Sequence, residues 1–463
     1  MKKELILQDI IEQNTFWNSR DGIFFDFIDY KRKLYKKILD YIDDRQIVSI
    51  VGLRRVGKTV LLKQLIKYLI VEKRINKKNI FFLSFDESLI GSGLKLEDYI
   101  RAFFDNYLHD KDEKIYIFID EIQYIKNWQH ILKRFYDANN RIKFFISGSS
   151  SLFLKKKTTE SLAGRIYEFE LPILAFDEYL ELKGVDKNLI NHFQSAKIDL
   201  KNIDGVEKEK KIQVENFLVE HGAEAIKHFE KYLLYGNFPQ IVNEESNEKI
   251  RKYINESVYK KTIEFDIPRI FGVEKTDELK FLFKVLIQET GNELEFNRLA
   301  PETGIDQKTL SKYIEYFRES LLVNIVYNHS KSIRKSHRQK KKIYIASANF
   351  YFLDDKIDPI VKSQILGHLA ETYAQNILKR KFEYLSFYRE RSQEIDFLAT
   401  DNLLDKKSYQ FIEVKYQEKA KRENFSFLKN INTKKSSKPF IVLTKKEFGV
   451  TDDGVYFPLF LLV

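Results

Sequence analysis

The nine residues Gly52-Leu53-Arg54-Arg55-Val56-Gly57-Lys58-Thr59-Val60 contain the spacing G-x-x-x-x-G-K-T between an apolar run, QIVSIV, and an apolar-periodic helical run, VLLKQLIKYLI. Glycines at such spacing let backbone N–H groups curl around a β-phosphate at a helix N-terminus, where the helix dipole also favours an anion. Lys58 is suited to bridge β- and γ-phosphates and the Thr59 hydroxyl to ligate Mg²⁺, so a nucleoside triphosphate with Mg²⁺ is the expected ligand. A chance Gly-rich turn is the alternative, but spacing and strand–loop–helix context agree here.

Further along, the apolar run Ile115-Tyr116-Ile117-Phe118-Ile119 ends in Asp120-Glu121. Asp120 would complete the Mg²⁺ shell, and Glu121 is placed to orient or deprotonate an attacking water. A solvated strand end looks the same in isolation; the upstream phosphate loop is what favours the catalytic reading. The next strand-like run closes on Ser147-Gly148-Ser149-Ser150, where Ser147 could sense the γ-phosphate or its water, or belong to a polar turn. Arg165 precedes a fifth run; it could stabilise phosphoryl charge on its own or a neighbouring subunit's nucleotide, or be a surface arginine.

A second set of candidates sits near the C-terminus. Glu371 lies on helical GHLAETYAQNIL, Asp396 in strand-like EID, and Glu413-Val414-Lys415 in QFIEVKYQ. Strand alternation puts Glu413 and Lys415 on one face. Asp396 and Glu413 on neighbouring strands could share a Mg²⁺ ion while Lys415 positions a water or offsets phosphate charge. In a chain that is 32% charged, E-x-K alone carries little. The order helix-Glu, strand-Asp, turn, strand-ExK resembles the PD-(D/E)xK nuclease core, with Gln417 beyond the lysine. An ion-pair face on a fold kept for binding is the alternative.

Between two strand-like runs, Asn328 to Lys342 reads NHSKSIRKSHRQKKK, with seven Lys/Arg and no acid. Preceded by helix, Thr303-Gly304 turn and helix, with Asp306 as a cap, this reads as a winged helix. Arg334, Lys335, Arg338, Lys340, Lys341 and Lys342 are its candidate DNA-phosphate contacts. A solvated loop, or a lid that docks protein, is the alternative.

These residues need elements to hold them. From Gln46 to about Glu170, five short β-branched or aromatic runs alternate with helical stretches, which predicts a parallel sheet wrapped by helices. Their nearly continuous apolar character suits strands buried on both faces. At 463 residues with 43% hydrophobic content, the chain is long enough for two or three globular domains. Its 79 Lys+Arg against 68 Asp+Glu give +11, a mild bias towards polyanionic partners. Zero cysteines exclude disulfides, Cys-based zinc sites, iron–sulfur clusters and thiol catalysis. Glu4 and Asp9 interrupt any signal-peptide core, and no run is long and apolar enough to span a membrane, so a cytoplasmic protein without membrane partners is expected.

In order along the chain, GLRRVGKT, FIDEIQYIKNW, SGSSSLF, SLAGRIYEFEL and YGNFP resemble the signatures of prokaryotic AAA-type ATPases that join an AAA_14 domain to a C-terminal DUF4143 domain. The resemblance implies ATP binding and hydrolysis at Gly52 to Thr59, Asp120 and Glu121, with Ser147 similar to sensor 1 and Arg165 matching the family's GR. It departs where such proteins often carry a Y-x-x-D-x-G-like segment; here Tyr344-Ile345-Ala346-Ser347-Ala348-Asn349 stands.

The expected fold is α/β: a P-loop NTPase parallel sheet of AAA/ASCE type, a helical and winged-helix region, and a small nuclease-like α/β domain. Boundaries are expected at 1–20 (N-terminal helix), 21–180 (ATPase), 181–280 (helical), 281–350 (winged helix) and 351–463 (nuclease-like). The expected activity is Mg²⁺-dependent ATP hydrolysis coupled to DNA binding and cleavage, with homo-oligomers as one assembly. The alternative is a nucleotide-dependent switch that binds a protein partner and carries an inactive nuclease-like domain.

Overall fold

The computed structural model describes residues 2–19, 30–85, 94–110, 112–149, 162–203, 208–330, 340–353, 359–418 and 425–463. Arg334, Lys335 and Arg338 lie outside the described residues. The chain forms two compact units: residues 1–173 with 265–273 and 319–321, and residues 174–264 with 274–318 and 322–463.

In the first unit, β1 (Ile47–Val51), β2 (Ile80–Ser84), β3 (Ile115–Asp120), β4 (Ile142–Gly148) and β5 (Ile166–Glu170) make one sheet in the order β2-β3-β4-β1-β5. All its pairs are parallel. Every residue of β1, β3 and β4 is buried, which is why those runs are almost wholly apolar. Edge strand β5 buries Phe169 and exposes its neighbours. Helices Lys58–Val71, Leu96–Asn106 and Trp128–Ala138 supply the crossovers that parallel strands require. Because β4 separates β1 from β3, the loop after β1 and the carboxylates ending β3 flank the last residues of β4, with Ile50 beside Ser147.

The second unit is built on an eight-stranded mixed sheet, ordered β12-β13-β11-β10-β9-β8-β6-β7. Its strands are β6 (Val323–Asn328), β7 (Lys341–Ile345), β8 (Tyr384–Glu390), β9 (Gln393–Thr400), β10 (Gln410–Lys415), β11 (Phe440–Thr444), β12 (Gly449–Val450) and β13 (Gly454–Pro458). Helices Phe296–Thr303 and Gln307–Glu319 precede the β6–β7 hairpin, and the Asp306 carboxylate caps the second by accepting from the N–H groups of Lys308 and Thr309. The hairpin is not free-standing: β6 pairs in parallel with β8, which extends the sheet that bears the C-terminal carboxylates. Helix Pro359–Lys381 lies across β7 to β10, burying Leu369, Ala370, Ala374 and Leu378 among Phe387, Phe397 and Ile412. Among the described residues, no helix is long and apolar enough to cross a membrane.

Candidate functional site

The phosphate-loop residues sit where β1 gives way to helix Lys58–Val71. A Cβ on Gly52 would fall 2.3 Å from the Leu171 carbonyl oxygen, and Gly57 has φ +104°, so neither position accommodates a side chain. Lys58 is buried, and its Nζ donates to the carbonyl oxygens of Gly52 and Leu53, both at 3.0 Å. Burial lowers its pKa.

The Thr59 hydroxyl donates to Asp120 Oδ2 at 2.5 Å, and the Ser147 hydroxyl donates to the other carboxylate oxygen. Burial first, and the neighbouring charge of Glu121 second, raise the Asp120 pKa. A buried carboxylate whose charge is this costly, beside a threonine hydroxyl, is a hard-oxygen donor pair that fits Mg²⁺. Glu121 follows in left-handed backbone, φ 55°, a strained conformation for a non-glycine residue. Its N–H donates to Ser147 Oγ at 3.4 Å, and the Gln123 amide donates to its carboxylate. Gln123 also donates to Ser149 Oγ at 3.1 Å, so the second residue after the acidic pair ties Glu121 to the residue that follows β4.

Arg54, expected simply to line the loop, commits its charge to protein. Its Nε and Nη2 donate to Asp266 Oδ2 and Oδ1 at 2.6 and 2.8 Å, and Nη2 reaches the Tyr124 hydroxyl at 2.5 Å. Tyr124 in turn donates to Asp266, which also accepts from Ser149 at 3.4 Å. Burial opposes the Arg54 charge, but the hydrogen-bonded Asp266 outweighs it and keeps the guanidinium firmly protonated. Burial, then Asp266, raise the Tyr124 pKa. Gln123, Tyr124 and Asp266 are additions to the expected set.

Arg165 is not brought to this loop. Its carbonyl accepts from the N–H of Ile47, the first residue of β1, whereas the phosphate loop follows the last. Five strand residues, about 16 Å, separate the two ends. Its guanidinium pairs instead with Asp137 at 3.0 Å. Within its own chain, Arg165 is therefore held at the opposite end of β1 from the loop.

The second unit gathers the C-terminal carboxylates. Asp396 Oδ2 accepts from the Val414 N–H at 2.8 Å, the Asp396 N–H donates to Glu413 Oε2 at 3.3 Å, and Lys415 Nζ lies 2.5 Å from Glu413 Oε1. Glu371 accepts from the Tyr344 hydroxyl at 2.7 Å and faces Lys342 Nζ at 3.5 Å. Burial, then the charge of Asp396, push the Glu371 carboxyl up to about 7 and the Glu413 carboxyl up to about 8. Three crowded carboxylates, two of them raised by burial and by the charge of Asp396, have with Lys415 and Lys342 beside them the donor chemistry of a divalent-cation site, and the residues fit one.

Lys342, expected among the exposed wing cations, belongs to this cluster. It is buried and pairs with Glu394 at 2.6 Å as well as with Glu371; alternation along β7 points it to the same side as Tyr344. Lys341 is half-buried with its Nζ 4.5 Å from the Phe296 ring centre, and Lys340 pairs with Glu293 at 2.8 Å near the surface.

With the geometry in hand, comparison with known proteins gives three matches along the chain. Residues 44–180 match the AAA_14 family, described as an AAA domain; residues 226–348 match DUF8612 and residues 366–462 match DUF4143, each described as a domain of unknown function. Along the chain, a match to an AAA domain is joined to a match to DUF4143. The AAA match covers the phosphate loop, both carboxylates of β3 and Ser147, and the DUF4143 match covers Glu371, Asp396, Glu413 and Lys415. The uncharacterized protein MJ1637 of Methanocaldococcus jannaschii is 27% identical over 444 residues, covering 94% of this chain and 87% of that one. An uncharacterized protein of Haemophilus influenzae is 25% identical over 376 residues, covering 79% of this chain and 82% of its own length. Among solved structures, the structure of C. elegans PCH-2 is 13% identical with a TM-score of 0.30, and the match spans 52% of this chain and 64% of that chain.

Proposed function

We propose that this chain hydrolyses ATP with Mg²⁺ at the loop Gly52 to Val60 and couples turnover to work on DNA. The observation that carries the reading is the meeting of Lys58, Thr59, Asp120, Glu121 and Ser147 at the carboxyl ends of β1, β3 and β4. In it, the Lys58 ammonium exchanges the two loop carbonyls for β- and γ-phosphate oxygens, and the loop N–H groups hold the β-phosphate. Thr59 and Asp120 hold Mg²⁺, which supplies neutralisation of the phosphate oxygens when bound. Glu121 takes a proton from the attacking water, and Ser147 fixes the Asp120 carboxylate. A cysteine-free chain built around ATP suits the cytoplasm.

A second activity, Mg²⁺-dependent cleavage of phosphodiester bonds, is supported by the crowding of Glu371, Asp396 and Glu413 around Lys415. Asp396 and Glu413 hold the cation in this reading, and Lys415 orients the attacking water. The burial of Lys342 takes one cation away from the DNA-contacting set, leaving Lys340, Lys341 and the residues outside the described segments for the phosphates.

Phosphate release from ATP, with and without duplex DNA and beside Lys58→Ala, tests the main reading. DNA-stimulated turnover supports it. Turnover indifferent to DNA moves the function to a nucleotide switch for a protein partner, and turnover equal to that of Lys58→Ala overturns the site. Nicking of supercoiled DNA that persists in Glu413→Ala would remove the second activity from this cluster.

A further inference from the structure

In the second unit, helices Lys187–Ala196 and Lys208–Tyr235 bring His192, Glu220 and His221 together, far in sequence from every residue assigned above. His192 Nδ1 lies 3.0 Å from His221 Nε2 and 3.4 Å from Glu220 Oε2, and His221 Nε2 lies 3.7 Å from the same Glu220 oxygen. Two imidazole nitrogens and a carboxylate oxygen thus form a small triangle.

The size of that triangle is informative. An ion bound tetrahedrally at about 2.0–2.1 Å from N and O ligands has ligand–ligand edges of about 3.3 Å. The three observed edges bracket that value. A hydrogen bond between the two rings accounts for one edge; it does not account for a carboxylate within reach of both nitrogens.

The frame beneath the triangle is rigid. Phe193, beside His192, and Phe217, one turn before His221, are both buried, and their rings meet edge to face with centroids 5.8 Å apart. Leu189, Ala196 and Val214 complete the buried seam of the two helices. The ligand side chains therefore project from positions already fixed by packing, which limits the ordering entropy that ion binding must overcome.

We propose that His192, Glu220 and His221 form a zinc-type metal site that clasps the two helices. Two imidazoles and one carboxylate make a borderline donor set that selects Zn²⁺ and its first-row neighbours over Mg²⁺ or Ca²⁺. With three protein ligands, the fourth position is taken by water, since the side chains of His192 and Glu220 stand about half exposed. The clasp joins two helices separated by a connection of 11 residues, 197–207, and its binding energy adds to the stability of the second unit.

The test uses the untagged full-length chain, stripped with chelator and kept in excess Mg²⁺ so that hard-oxygen sites are filled. Cobalt(II) is titrated in and its visible absorption followed, then displaced with Zn²⁺. One Co²⁺ per chain with the intense bands of a tetrahedral site is expected, together with a rise in melting temperature on adding Zn²⁺. His192→Ala and His221→Ala should each weaken binding at least ~100-fold and abolish the Zn²⁺-dependent rise. His192→Gln serves as a second variant, and far-ultraviolet circular dichroism shows that each variant is folded. No Co²⁺ spectrum in the parent protein, or equal affinity in folded variants, overturns the site and leaves a hydrogen-bonded histidine pair.

Discussion

Arg54 and Asp266 stand 212 positions apart in sequence and form a two-pronged ion pair, with N–O distances of 2.6 and 2.8 Å. Asp266 is buried and Arg54 partly buried, beside Tyr124 and Ser149 and within the same unit as the phosphate loop. One side chain of the loop therefore anchors it to a helix end distant in sequence and commits its charge there.

Breaking this anchor strands a largely desolvated guanidinium. Asp266→Ala should lower stability by about 3–5 kcal/mol, because the cost is that of the uncompensated charge rather than of one contact. Arg54→Met combined with Asp266→Leu should cost much less than the two single changes added together. Urea unfolding of the four proteins in that cycle measures the coupling, and additive effects would mean that the pair does not hold the loop.

Separate roles for Lys58 and Glu121 predict separate defects. Glu121→Gln removes the proton acceptor but no phosphate ligand, so kcat should fall about 10²- to 10⁴-fold while ATP still binds. Lys58→Ala should lose ATP binding itself. Fluorescent-nucleotide binding beside phosphate release separates the two, and a Glu121→Gln protein that turns over at the parent rate places the base elsewhere.

The parts of this arrangement that were legible in the sequence share a cause. Parallel strands buried on both faces must be apolar throughout, so β1 to β4 announce themselves, and the strand–loop–helix turn at Gly52 to Thr59 is local, its spacing held in eight neighbouring residues. Asp266 carries no local signal, because its partner is chosen by tertiary packing. Lys342 was hidden in a basic run, although its placement two residues before Tyr344 on a strand put both on one face. The position of Arg165 was also readable: it precedes its strand, whereas phosphate chemistry in open parallel sheets gathers at the carboxyl ends. Pairing of β6 with β8 is a long-range choice that no short window reveals.

Lys342 and Lys340 are two residues apart and should behave differently. Lys342→Met leaves Glu371 and Glu394 without their buried cation, so a loss of about 3–5 kcal/mol is expected. Lys340→Ala breaks a surface pair with Glu293 and should change stability by less than about 0.5 kcal/mol. Thermal unfolding of both variants checks the contrast; equal effects would argue that Lys342 is no part of the carboxylate cluster.

The carboxylate cluster sets a pH dependence whose sign follows from its shifted groups. In the unfolded chain a glutamate loses its proton near 4.5, whereas folding raises Glu371 to about 7 and Glu413 to about 8. Between those limits the folded unit retains protons that the unfolded chain has released, so rising pH favours unfolding. The stability these two groups contribute is complete below about 4.5 and disappears as pH climbs through 7 to 8. A divalent cation binds the ionised carboxylates and must displace those protons, so its effect runs the other way. Without nucleotide, Mg²⁺ or Mn²⁺ should leave the melting temperature unchanged at about pH 5.5 and raise it progressively from about pH 7 to 8.5. Glu413→Gln removes one ionising ligand, so it should flatten the decline in metal-free buffer and weaken the rescue by the cation. Melting curves across this range, with chelator or with cation, decide the matter: stabilisation that is equal at every pH, or undiminished in Glu413→Gln, would place the cation at some other site.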